Sequence, residues 1–555
     1  MKAPENDPII LSNNLISSLL DGIPHAETFK GKWSLIRAKL TELQSQLTEF
    51  AEFSNSSSSI PLSLDLLQSI SQTLSDAVSL CEKCQTRNFS EGKLRTQSDI
   101  DSVLAKLDRH VKDSEILIRS GVLYDGVAPS SSSSSKREAA RAESRGLITR
   151  LQIGSPESKS SAMDSLLRLL EADDKNVVIA VAQGIVLVLV QLLDSSSSSW
   201  EMKEKAVAAI SMISMVGSSK HVLIAEGLSV LNHLLRILDL GSGFAKEKAC
   251  VTLQALTFSK ENARAIVSRG GVSSLLEICQ AGTPGSQAFA AGVLRNLAVF
   301  SEVRENFVEE NGVVVLMGIA SSGTASAQEN AIGCLCNLVS EDESLKLLVF
   351  KEGGVECLKN FWDSTPTVQS LEVAVDLLRH LASCPTIAEV VVSDGFIGRL
   401  VGVLNCGVLG VRVAAARAVY ELGCSTRFRK EIGECGSIAP LIRLLDGKAV
   451  EEKEAAAKAL SILMLYAGNR KVFRKDERGI LSAVQLLDPL IQNLDKKYPV
   501  SVLASLVHSK KCRKQMVAAG ACVYLQKLVE LDIEGSKKLL DSLGRSKILG
   551  IFSRP

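Results

Sequence analysis

At 555 residues the chain is too long for one hydrophobic core, so it consists of several domains or of a repeat array. Hydrophobic residues at 46% and charged residues at 23% exclude a disordered chain. The 63 Lys and Arg balance 62 Asp and Glu, so no bulk field draws the chain to nucleic acid or to an anionic membrane.

The first residues, MKAPENDPII, lack a basic start followed by an unbroken apolar run, so no secretory signal is expected. Residues 9–123 show apolar positions at helical spacing in Ile9–Leu20, Phe29–Phe53, Leu62–Cys81 and Ile100–Leu117. Asn55, the serines Ser56–Ser59 and Pro61 separate the second helix from the third. Four amphipathic helices on short polar links predict a helical bundle over residues 1–125. Cys81 and Cys84 have the spacing of half a zinc site, but no second Cys or His pair accompanies them, so they are read as coincidental.

Residues 126–143 hold a linker, Gly126–Ser135 with Pro129 and six serines, and the start of a charged helix, Lys136–Leu151. From residue 144 to 543 a period governs the chain. Glycines recur at 184, 227, 271, 312, 354, 395, 436, 479 and 520, in steps of 41–44 residues. Alanines recur with a similar step at 162, 206, 249, 290, 331, 374, 415 and 456. Two anchors sharing one period define about nine stacked helical units, none able to bury its apolar face alone. Gly is expected in the tight turn before the second helix, and Ala where the third helix approaches the preceding unit.

The greasiest stretch, Val177–Leu193, contains Gly184 on the repeat phase and is read as two buried helices, not a membrane span. Ser195–Ser199 is a loop insertion. Leu494–Val507 and Gly520–Leu543 look like a cap, and 544–555 is a tail. The thirteen cysteines, including Cys250, Cys279, Cys334, Cys336 and Cys424, fall largely in apolar runs. They are expected to be free small hydrophobes in a reducing compartment, hence a cytoplasmic or nuclear location.

The unit resembles the armadillo repeat: a short first helix, a Gly-initiated second, and a third ending in Leu-x-Asn-Leu, as in Leu294–Leu297 and Leu335–Leu338. The N-terminal bundle resembles the domain that precedes armadillo repeats in a group of plant proteins. Some of those relatives carry a U-box ubiquitin-ligase module, and the repeats are also similar to those of the vacuolar armadillo protein. The resemblance implies an all-α, right-handed armadillo superhelix whose third helices line a concave groove for other proteins.

Catalysis is not expected. A U-box needs a Cys-Pro-Ile-type start and a Thr-Tyr-Glu-Arg-type stretch, and neither occurs. The six His lack paired-ligand spacing, and no phosphate-binding Gly-Lys-Ser/Thr loop is present, so no metal or cofactor is expected. The vacuolar relatives use an N-terminal Gly for myristoylation, but residue 2 is Lys2, so that anchor does not carry over.

Binding is expected on the third helices. With Asn296 as phase, the equivalent positions are Met212, Ala255, Asn337, His380, Glu421 and Ile462. In armadillo proteins this Asn bonds the backbone of an extended peptide, a donor–acceptor match to a peptide bond; bracing the adjacent helix is the alternative role. Nuclear-import adaptors place Trp four residues earlier, where this chain has Ala208, Val251, Gly292, Gly333, Asp376, Arg417 and Lys458. Arg295, Arg379, Arg417 and Arg443 are read either as a basic stripe favouring acidic partners or as a solvated face. Lys510, Lys511, Arg513 and Lys514 form a basic cluster, read as a solvated first helix, with a nuclear address or an anionic-surface contact as the alternatives. The leading expectation is a non-enzymatic scaffold. The alternatives are a regulator of ubiquitin ligation acting through a partner and, less favoured, a nuclear-transport adaptor.

Overall fold

A computed structural model describes residues 8–52, 61–85, 92–123, 135–365 and 367–551, with side chains for all of these but Glu52, Ser135 and residues 545–551. Among the described residues there are helices and no strand. Phe53, the Asn55–Ser59 break and the Gly126–Ser134 linker lie outside them. The chain divides into two units, residues 1–241 and 242–555.

In the first unit, α1 (Pro8–Gly22), α2 (Lys30–Glu52), α3 (Pro61–Gln85) and α4 (Lys93–Arg119) bury one apolar stripe each. Ile16, Leu40, Leu43, Leu47, Ile70 and Leu107 are fully inaccessible in a shared core. Cross-helix bonds set the topology. Ser12 meets Ser71 and Gln85 reaches the Gly22 carbonyl, so α1 and α3 run parallel. Lys32 pairs with Asp101 and Lys39 with Asp108, so α2 and α4 run parallel as well. Thr73 Oγ1 lies 2.9 Å from His110 Nε2, and Lys106 is 4.0 Å from Asp76, which makes α3 and α4 antiparallel. Burial holds His110 near a pKa of about 4, so its ring is neutral. Cys81 and Cys84 are buried, and burial pushes the Cys81 thiol up to about 11.

The charged helix follows as α5 (Ser135–Ile153), and α6 (Pro156–Ala172) begins the repeats with Ser155 accepting from the Ser158 N–H. The stretch read as two helices is Asp174–Ala182 and Ile185–Asp194, bent by 77° at Gly184, whose φ is +85°. Among the described residues no single helix is long and apolar enough to cross a membrane.

In the second unit the three-helix repeat is explicit: Lys260–Ser268, Gly271–Ala281 and Pro284–Leu297 form one copy. Each third helix packs on the next through an alanine. Ala249, Ala290, Ala331, Ala374, Ala415 and Ala456 are all fully inaccessible. Ser242, Thr283 and Thr324 cap three of these helices.

The repeat glycines have two different roles. Gly395 and Gly520, with φ near +80°, occupy the left-handed turn itself. Gly354 instead opens the helix: an added Cβ there would lie 2.6 Å from Val349 Cγ1 and 2.7 Å from its carbonyl oxygen, while Gly353 takes the turn at φ +83°. Asn311 takes the same turn before Gly312. The last helix runs Ser536–Ile551, past the expected end of the array at Leu543.

Candidate protein-binding face of the third helices

The third helices of the second unit are Gly243–Leu256, Pro284–Leu297, Ala325–Val339, Leu371–Ala382, Leu409–Cys424, Val450–Leu463 and Lys497–Ala504. Each buries its Ala and Leu positions, so its remaining face carries the polar residues at the Asn296 phase.

Asn296 and Asn337 are half-buried and reach back to the preceding helix. Asn296 Nδ2 donates to Thr257 Oγ1 at 2.9 Å and to the Gln254 carbonyl at 3.3 Å. Asn337 Nδ2 donates to the Arg295 carbonyl at 3.0 Å. A third amide, Asn330, donates to the Ala288 carbonyl at 3.0 Å. Sequence reasoning missed it, although it lies two helical turns before Asn337 on the same face. These bonds have the geometry of a brace and leave the Asn296 and Asn337 side-chain oxygens without a hydrogen bond among the described residues.

The glycines at the import-adaptor Trp positions are filled from the neighbouring helix. The Arg295 side chain lies across Gly333, where an added Cβ would fall 2.5 Å from its Nε and 2.8 Å from its Cζ. Gln254 lies across Gly292 in the same way. Arg295 has no ion-pair partner among the described residues.

Arg379 does have one. Its Nε is 3.1 Å from Asp376 Oδ1, and its Nη2 is 2.7 Å from His380 Nε2. Burial, with the Arg379 charge beside it, lowers the His380 pKa to about 4, so the neutral ring accepts from Arg379. Asp376, Arg379 and His380 therefore form a self-contained trio.

Further along, Arg417 is exposed and Glu421 half-buried on Leu409–Cys424. Next to them Lys458 Nζ sits 4.3 Å from the Tyr420 ring centre and 5.8 Å from that of Tyr498, each residue from a different third helix. Arg412 pairs with Glu452 at 2.8 Å, and Glu452, only 4% exposed, also caps the Ala449 N–H. Arg443 does not belong to this row: it lies on a second helix, Ile438–Leu445, and donates to Asn405 Oδ1 at 2.7 Å.

Burial raises the thiol pKa of Cys250, Cys279 and Cys334, so these are inert core groups. Cys424, expected to be similar, is exposed at the end of its helix. Lys510, Lys511 and Lys514 are exposed on the helix Lys510–Ala518. Among the described residues no group of His, Cys, Asp or Glu is arranged to hold a metal ion.

A family profile described as a domain of unknown function, DUF7032, matches residues 11–122, the four-helix bundle. No curated protein matches the chain. Solved structures do. An engineered protein aligns over 73% of this chain and 98% of its own length, at 24% identity and a TM-score of 0.60. A chain from a structure concerned with a phosphorylation switch in the cadherin and beta-catenin interaction aligns over 83% of this chain and 98% of its own, at 16% identity and a TM-score of 0.59. At such identities the likeness establishes the fold class, an all-α solenoid of the armadillo type.

Proposed function

We propose that the protein is a non-catalytic scaffold that binds extended segments of partner proteins along its third helices, centred on Pro284–Leu297 and Ala325–Val339. The observation that carries this reading is the pair Asn296 and Asn337, one repeat apart, each with an uncommitted amide oxygen beside a side-chain shelf over a glycine. An extended strand offers N–H groups to such acceptors, and Arg295 supplies a cation without a partner of its own. Arg379 and His380 contribute shape rather than free charge, whereas Arg417 is available at the far end. Fold likeness to a chain from a cadherin and beta-catenin structure supports protein partners as a class.

The test is affinity capture with the full chain, followed by arrays of overlapping peptides from the captured proteins. A variant combining Arg295→Glu, Asn296→Ala and Asn337→Ala should lose at least about tenfold in peptide affinity, given about 1.4 kcal/mol per factor of ten. Unchanged binding in that variant, with the fold intact by circular dichroism, overturns the assignment.

A further inference from the structure

Away from the third-helix face, the first unit holds a cleft of about 940 Å³. One wall is the outer face of α3 and α4; the other is the first repeat together with the loop Ser195–Ser199. Two of its cations are already neutralised. Lys205 pairs with Asp164 at 2.8 Å and Glu201 at 2.9 Å, and Lys106 lies 4.0 Å from Asp76. Two are not: exposed Arg109 on α4 and half-buried Lys159 on α6 have no ion-pair partner among the described residues. They come from opposite walls. Asp113, which also lines the cleft, makes no ion pair with either; burial raises its pKa to about 6 against the opposing pull of the Arg109 and Lys159 charges, so a phosphate would displace it as their counter-charge.

The serine loop supplies the complementary chemistry. Ser195 and Ser197 bond each other through their hydroxyls at 2.8 Å, and Ser199 caps the next helix by accepting from the Met202 N–H. Ser198 lines the cleft, and its hydroxyl has no hydrogen bond among the described residues. Of the five serines it alone has a carboxylate three residues on, Glu201, the spacing read by acid-directed serine kinases. It also immediately precedes the N-cap of the 16-residue helix Trp200–Met215, where the helix dipole favours a dianion.

We propose that Ser198 is a phosphorylation site whose phosphate, seated by Arg109 and Lys159, latches the helical bundle to the first repeat. In the modification the Ser198 hydroxyl oxygen forms a bond to the γ-phosphorus of a nucleoside triphosphate. The bridging β–γ oxygen–phosphorus bond breaks, the hydroxyl proton passes to the kinase base, and the nucleoside diphosphate leaves. The phosphate oxygens then accept charge-assisted hydrogen bonds from both walls.

The experiment installs phosphoserine at position 198 of the full chain by amber suppression and follows amide hydrogen exchange. Peptides covering residues 105–115 and 156–162 should exchange about threefold more slowly than in the unmodified chain, and the gain should vanish when Arg109→Gln and Lys159→Gln are combined. Equal exchange with and without phosphate overturns the latch, and so does protection that survives the double substitution. In a parallel arm an acid-directed serine kinase with ATP should place phosphate on Ser198, read by mass spectrometry of the peptide covering residues 195–203, because other serines such as Ser340 share the acidic spacing. The absence of phosphate on Ser198 in that peptide overturns the site. Neither arm involves the third-helix face, so failure here leaves the scaffold reading standing.

Discussion

The central and C-terminal stretches of the third-helix row share one backbone repeat but are held together by different chemistry. In the centre, Asn296, Asn330 and Asn337 tie each helix to a backbone carbonyl of the one before, and glycines let side chains lie flat between them. Toward the C-terminus the links are charged: the Arg412–Glu452 pair and the Tyr420–Lys458–Tyr498 stack. Neutral bonds to a backbone carbonyl fix spacing with little dependence on salt or pH. Charge-based links bind as strongly only where water is excluded, which separates the pair built on buried Glu452 from the half-exposed stack.

That contrast breaks most sharply at Glu452. Glu452→Ala removes the buried carboxylate from half-buried Arg412, which keeps only the Cys406 carbonyl, and should cost about 1.5–3 kcal/mol locally. Hydrogen exchange in 409–424 and 450–463 should accelerate, while 284–297 stays unchanged, because repeat arrays couple chiefly to neighbours. In the centre, Asn337→Ala should cost less, about 0.5–1.5 kcal/mol, read as faster exchange confined to 284–297 and 325–339. Lys458→Met should lose about 0.5–1 kcal/mol from the stack, measurable as increased quenching accessibility of Tyr420 and Tyr498.

A last effect is absent at neutral pH and appears only in acid. His380 has a folded pKa of about 4, below the ordinary imidazole value, so the unfolded chain binds a proton first as pH falls. Stability from this residue is full above about pH 6.5 and declines as the pH drops toward 4. His110 contributes the same sign in the bundle, because burial holds its folded pKa near 4 too. An NMR titration of the His380 ring should show a midpoint near 4, and a midpoint above 6 would contradict its pairing with Arg379.

The architecture was legible because the period is written twice, in glycine and in alanine, and packing forces both. The six repeat-phase alanines from Ala249 to Ala456 are inaccessible, as a close helix approach requires. The glycines were only half legible. One letter at one phase covers a left-handed turn at Gly395 and a close-packed helix start at Gly354, and only the backbone distinguishes them. At the candidate site the phase found Asn296 and Asn337 but not what they touch. Arg379 read as a free cation until Asp376, three residues earlier on the same helix, proved to be in contact. Arg443 follows Gly436 by seven residues, a spacing that places it on a second helix and outside the third-helix row.

The order of helices in the N-terminal bundle bears on how it forms. Its parallel neighbours, α1 with α3 and α2 with α4, come from different hairpins. Neither hairpin therefore closes its own apolar face. A ribosome that has released only α1 and α2 has made a sticky intermediate, and half of the bundle is not a smaller version of the whole. The segment should gain protection from exchange in a single kinetic step once α4 has emerged, with the α2–α3 connection setting the closure entropy of that step.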